Sequence, residues 1–175
     1  DTFLESMRMD LNKTAYSRDG YEKYILGSAE VVGLMCLKVF TEGDKEMYKN
    51  LEFPAMRLGA AFQKINFLRD IKADYEGMGR TYFPGLDMDV FNESAKRKIE
   101  EEIAMDFSAG YAGILQLPKA ARFGVYMAYI YFYQLFLKIQ RTPATDILES
   151  RIRIPDNRKY SLFVESYVRH SFNLI

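Results

Sequence analysis

Residues 54–84, PAMRLGAAFQKINFLRDIKADYEGMGRTYFP, constrain what this chain can fold into more than any other stretch. Leu58, Ala61, Phe62, Ile65, Leu68 and Ile71 recur at the spacing of a buried helix. Each helical residue advances by about 100°, so, counted from Gln63, the side chains of Asn66, Asp70 and Asp74 fall at about −60°, −20° and +20°. Four polar residues therefore share a stripe about 80° wide, with Asp70 and Asp74 about 6 Å apart along the axis. Arg69 projects from its flank. Polar residues on one face of a helix ordinarily mark its solvated side. This stripe carries amides and acids without the alternating Lys/Glu pairs of such a side. It also runs straight into Gly77, Gly79, Arg80 and Tyr82, a tight exit from the helix.

The chemistry that suits such a stripe is a magnesium–diphosphate site. Mg²⁺ takes hard oxygen ligands, keeps part of its water, and is commonly held by one or two carboxylates plus substrate phosphate. Asp70 and Asp74 supply the carboxylates, and Asn66 adds a neutral oxygen on the same face. Gln63 can bond a phosphate oxygen or a bound water. Arg69 and Arg80 can meet phosphate oxygens with two-pronged geometry.

The run from Leu58 to Pro84 resembles the second aspartate-rich motif of the squalene/phytoene synthase family. Leu58, Gly59, Ala61, Gln63, Asn66, Arg69, Asp70, Asp74, Gly79, Arg80, Tyr82 and Pro84 all match that pattern. So many residue types at fixed offsets are far more specific than two aspartates four apart. Glu42 and Glu46 have the same separation by chance. Two further stretches resemble the family: FLESMRMD near the start, and Tyr24, Ala29 and Gly33 in the next helix.

The resemblance implies an all-α helical bundle of the class I isoprenoid synthase type. It implies a prenyltransferase that joins two isoprenoid diphosphates head to head through a cyclopropyl intermediate. The expected reaction is phytoene formation from geranylgeranyl diphosphate. Squalene or dehydrosqualene formation from farnesyl diphosphate is the alternative, with NADPH entering only for squalene. A non-catalytic relative acting as an assembly factor is the reading from a different class, and metal binding separates it from the enzymes. In the family assignment Asn66, Asp70 and Asp74 hold Mg²⁺, with Mn²⁺ as its substitute. Gln63, Arg69, Arg80, Tyr82 and Arg151 serve the diphosphate, and Ala29 and Gly33 border the isoprenoid. Tyr24 is expected to steady a cation with its ring face, and Tyr131 to reach the diphosphate region.

Composition agrees and excludes other classes. The 24 basic and 24 acidic residues cancel, which gives no footprint for nucleic acid. A single cysteine, Cys36, rules out an internal disulfide or a cysteine zinc site, and its apolar run VVGLMCLKVF suggests a small buried side chain. His170 is the only histidine. The 13 Tyr, 13 Phe and 9 Met suit a large core or an apolar cavity. The apolar run 123–137 is broken at Gln134 and is short for a span of about 20 residues. It reads as a buried helix, so membrane contact is expected to be peripheral and the location cytoplasmic.

Taken in order, the chain reads as a helix end and loop to about residue 17. A helix capped by Asp19, with Glu22 as its capping-box partner, follows to about Phe40. A polar connection at 41–50 leads to the central helix, which begins at Pro54 and ends near Tyr75. Asp87 and Asp89 read as turn chemistry, and Asp89 or Asn92 as a cap. Helices follow at about Glu93–Gln116, from Pro118, and at about Leu162–Asn173. Glu102 and Asp106 read as a solvated pair. Arg151, Arg153, Arg158 and Lys159 form a basic patch. Residues 1–175 are expected to make up the C-terminal portion of one isoprenoid synthase domain. The family's first aspartate motif is not found, so the bundle is expected to lack its N-terminal helices and to be inactive alone.

Overall fold

The computed structural model describes residues 1–12, 15–172 and 174. Their regular structure is helical, apart from an isolated bridge between Ala15 and Thr81. Helix α1 spans Thr2–Asn12 and α2 spans Arg18–Ile25. A π-helical turn, Leu26–Glu30, joins α2 to α3, Val31–Phe40. Helix α4 (Lys45–Met78) is the spine, and α5 (Glu93–Ile114) and α6 (Lys119–Arg141) pack beside it. The short α7 (Ala144–Ile147) and α8 (Asp156–Ser171) follow, with α8 lying against α6. The all-α expectation holds, and the core forms where α4 meets α5 and the π turn.

The cap of α2 is Ser17, whose hydroxyl accepts from Gly20 N–H at 3.2 Å. Asp19 is thus already inside the first turn, and Glu22 pairs with Arg18 at 2.7 Å instead of closing a capping box. The central helix begins well before Pro54. Asp44 caps it by accepting from Met47 N–H at 2.9 Å, so the expected polar connection is its first turns. A proline inside a helix removes one ladder hydrogen bond and is usually excluded. Here its ring fits because Gly113 of α5 faces it, where a Cβ would lie 2.3 Å from the Pro54 Cβ. At 34 residues, α4 is about 51 Å long. It ends at Gly79, whose left-handed backbone (φ 59°) suits glycine.

Two glycines let helix backbones touch. A Cβ on Gly33 would lie 2.6 Å from the Ala55 carbonyl oxygen, and one on Gly59 2.5 Å from that of Ala29. The small residues of 27–33 thus serve close packing as well as open space.

Three expectations fail on burial. Asp106 is 5% exposed and pairs with Lys64 at 2.8 Å and Arg57 at 3.3 Å. Arg57 also binds Glu30, and Lys64 reaches Glu102 at 3.3 Å. The supposed solvated pair therefore belongs to an ion network that ties α5 to α4 and the π turn. Cys36 is exposed, because it lies on the side of α3 that lines an open apolar cavity with Val32, Gly33 and Phe40. Helix α6 is not buried all round; Tyr126, Tyr129, Leu135, Phe136 and Ile139 are its buried side. Asn92 caps α5, and Asp87 accepts from Asp89 N–H at 2.9 Å in the expected turn. Helix α8 starts at Asp156 because Pro155, with ψ 149°, can only precede it. The expected end at Asn173 lies outside the described residues. Among the described residues no helix is long and apolar enough to cross a membrane.

Candidate active site

The second half of α4 carries the polar stripe, which starts at an apolar cavity and continues alongside a polar recess. One is an apolar cavity of about 590 Å³ between α3, α4, α5 and α6. Its walls are built largely from small residues, including Ala29, Gly33, Gly59 and Gly124. Gln63 is the polar residue of the stripe that lines it. Leu37, Phe40, Leu51 and Leu117 lie at the other end, with Leu37, Leu51 and Leu117 forming a small buried cluster of their own. Gln63 and Leu51 are 12 residues apart on one helix, so the cavity extends about 18 Å along α4. Its volume falls within the range of about 300–1,000 Å³ typical of small-molecule sites.

The other recess is polar, about 390 Å³, and lined by Arg69, Tyr131, Arg151, Arg153, Asp156 and Lys159 with a few apolar residues. It begins at Arg69, about 9 Å further along the α4 axis than Gln63. Arg69, Tyr131 and Arg151 thus line one recess.

Asp70 stands between two guanidinium groups. Arg69 Nε donates to Oδ1 at 3.0 Å and Nη2 to Oδ2 at 2.5 Å. Arg151 Nε meets Oδ1 at 2.6 Å, and its Nη2 donates to Oδ2 at 3.2 Å. Burial alone would raise the Asp70 carboxyl, but the hydrogen bonds and charges of Arg69 and Arg151 outweigh it and hold the carboxyl below its ordinary value. Asp74 is raised, first by burial and then by the charge of Asp70. Among the described residues the Asp74 side chain makes no hydrogen bond or ion pair, although its carbonyl accepts from Arg80 N–H at 3.0 Å. Asn66 presents a buried Oδ1 with no partner. An orphaned carboxamide oxygen and an unpaired carboxylate beside Asp70 are a donor set that fits Mg²⁺. Among the described residues no three His, Cys, Asp or Glu side chains converge on one point, so phosphate and water oxygens must complete such a shell.

Arg80 leaves the capped end of α4 and reaches back to α1. Its Nη2 donates to the Asp10 carbonyl at 2.7 Å, and its Nη1 donates to Tyr82 Oη at 3.0 Å and meets Asp10 Oδ1 at 3.3 Å. Tyr82 is buried and stacks on Phe67 with ring centroids 3.8 Å apart. It props Arg80 from inside an aromatic cluster rather than lining the cavity. Ala29 and Gly33 do line the cavity, but Tyr24 does not. On the far side of the π turn, Tyr24 packs against Tyr16, Phe67 and Tyr82, and its hydroxyl donates to Asp10 Oδ2 at 3.0 Å. Burial, then the charges of Tyr82 and Asp10, push its phenol well above the ordinary range, so it stays a neutral donor.

Asp10 is the residue that the sequence reading left out of the site, although it joins Tyr24 and Arg80. Its signal was present as the last residue of FLESMRMD.

Comparison with known proteins bears on the family and the fold. The model of the squalene/phytoene synthase family matches residues 1–158. The chloroplastic phytoene synthase of Cucumis melo is 31% identical, over 78% of this chain and 37% of its own length. Among solved structures, squalene synthase HpnC from Alicyclobacillus acidocaldarius superposes with a TM-score of 0.68 at 20% identity, covering 80% of this chain and 57% of the other. A dehydrosqualene synthase solved with a ligand gives a TM-score of 0.75 at 24% identity, covering 95% and 62%. At these identities the two structures share the fold. The chain spans little more than a third of the melon protein and about three fifths of the two solved chains.

Proposed function

Because the chain belongs to the squalene/phytoene synthase family, we propose that it forms the metal- and diphosphate-binding part of a prenyltransferase that condenses two geranylgeranyl diphosphates head to head to phytoene. The observation that carries the reading is a polar stripe on one helix that starts at Gln63, which lines an apolar cavity, and continues through Asn66 to Asp70, which is paired with the Arg69 and Arg151 of a basic recess, and to Asp74. Likeness to the melon phytoene synthase supports the C20 substrate. The alternative, farnesyl diphosphate as substrate, differs in the carbon number of the product.

Each residue has a task in this reading. Asn66, Asp70 and Asp74 would hold Mg²⁺, which supplies Lewis-acid neutralisation of the charge on the departing diphosphate. Arg69, Arg151 and Tyr131 bind and orient the diphosphate from the recess. Gln63 marks the junction between the polar and apolar regions. Ala29, Gly33, Gly59 and Gly124 leave volume for the hydrocarbon, and the apolar walls keep water from an allyl cation. Asp10 and Tyr82 aim Arg80, and Tyr24 holds Asp10.

The test is Mg²⁺-dependent release of inorganic diphosphate by the complete protein, compared with Asp70→Asn. Turnover should fall about a hundredfold or more, the scale of losing one transition-state electrostatic partner. Circular dichroism and the melting temperature should stay near wild type. Unchanged turnover would remove Asp70 from the metal site, and a variant that fails to fold would give it a structural role.

A further inference from the structure

The Asp70 carboxylate has no free oxygen. Each oxygen takes a nitrogen from Arg69 and another from Arg151, at 2.5–3.2 Å. Both guanidinium groups also line the polar recess, together with Arg153 and Lys159. Arg151 lies between α7 and α8 and is half exposed, so its side chain can turn without disturbing the core. A carboxylate held by two forks is a poor ligand for a cation, because metal and guanidinium compete for the same lone pairs. A diphosphate entering the recess offers both arginines an acceptor of higher charge with equal two-pronged geometry.

We propose that Arg69 and Arg151 mask Asp70 against metal until a diphosphate enters the recess and draws them onto its own oxygens, so that anion and metal must bind together. This rests on the metal–diphosphate reading above. Asp70 then changes partners from guanidinium to metal as the arginines change from carboxylate to phosphate. Asp70, Arg69 and Arg151 each keep a partner of opposite charge throughout the exchange. Two consequences follow from the geometry. Of the three expected metal ligands, Asn66 and Asp74 are the two whose side-chain oxygens metal alone would meet free. By linkage, whatever factor diphosphate adds to metal affinity, metal adds to diphosphate affinity.

The experiment measures equilibrium binding of Mn²⁺ alone, counted by the paramagnetic signal of the free ion, and of inorganic pyrophosphate alone by calorimetry. The proteins are the complete wild type, Arg151→Gln and Arg153→Gln. Arg153 lines the same recess and carries the same charge, yet it makes no ion pair with Asp70. Arg151→Gln should tighten Mn²⁺ binding by about twofold to fivefold, the scale of one half-exposed ion pair, while weakening pyrophosphate. Arg153→Gln should leave Mn²⁺ affinity near wild type. Unchanged or weaker Mn²⁺ binding in Arg151→Gln would overturn the mask and leave the metal–diphosphate site standing. Equal tightening in both variants would also overturn it, since net charge would then explain the effect. No Mn²⁺ binding by any of the three, even with pyrophosphate present, would remove the site itself and the mask with it.

Discussion

Replacing Asp106 by alanine tests whether the ion network between α4 and α5 is a structural tie. The side chain is 6% exposed and faces Lys64, itself 9% exposed, at 2.8 Å, and Arg57 at 3.3 Å. Breaking a buried pair by removing one partner costs about 3–5 kcal/mol, because a charge is stranded without water. Here the loss is cushioned, since Lys64 keeps Glu102 at 3.3 Å and Arg57 keeps Glu30. About 2–3 kcal/mol is therefore expected, which at about 2–4 °C per kcal/mol for a chain of this size lowers Tm by roughly 4–12 °C. Removing both charges in Lys64→Met/Asp106→Leu should cost less than the sum of the two single changes, because nothing buried is left unpaired. Urea and thermal unfolding of the complete protein provide the assay. A loss below about 0.5 kcal/mol for Asp106→Ala, the level of an ordinary surface change, would refute the reasoning. So would strict additivity in the double variant.

Two further outcomes follow from the same geometry. Burial would raise the Glu102 carboxyl, but Arg18 and Lys64 outweigh it and lower it. Its stabilising contribution is therefore present above the unfolded carboxylate pKa and lost as pH falls through the folded value. Glu102→Gln should accordingly flatten the acid limb of the stability profile, and an unchanged limb would contradict this. Gly124 lines the apolar cavity, and a Cβ there would meet nothing within 4 Å. Gly124→Leu should keep or raise Tm, since glycine inside a helix costs about 0.8–1.0 kcal/mol. It should also lower kcat/KM for geranylgeranyl diphosphate more than for farnesyl diphosphate. Equal kcat/KM ratios in wild type and variant would mean that the chain does not occupy this cavity.

The polar stripe was legible in the sequence because helical periodicity alone places Gln63, Asn66, Asp70 and Asp74 on one face. Its surroundings were less so. Asp106 read as solvated because it is charged, and only its tertiary pairing with Lys64 across α4 and α5 shows why it can be buried. Pro54 looked like a helix start because proline suits a first turn. That Gly113 makes room for its ring is a contact between residues 59 positions apart. Tyr24 was expected at the substrate, but the π turn after it changes the side that it presents, and a period of 3.6 residues contains no such turn. Arg151 was placed near the diphosphate by resemblance, whereas its double contact with Asp70 is visible only in three dimensions.

The proposed function is that of an enzyme that makes a C40 hydrocarbon from two C20 diphosphates. Its most direct test is to incubate the complete protein with Mg²⁺ and geranylgeranyl or farnesyl diphosphate, with and without NADPH, and to identify the extracted hydrocarbon. The account predicts a C40 product from geranylgeranyl diphosphate without NADPH, and none when Mg²⁺ is removed. A C30 product from farnesyl diphosphate alone would contradict the C20 assignment, and no hydrocarbon from either substrate would contradict the prenyltransferase reading itself.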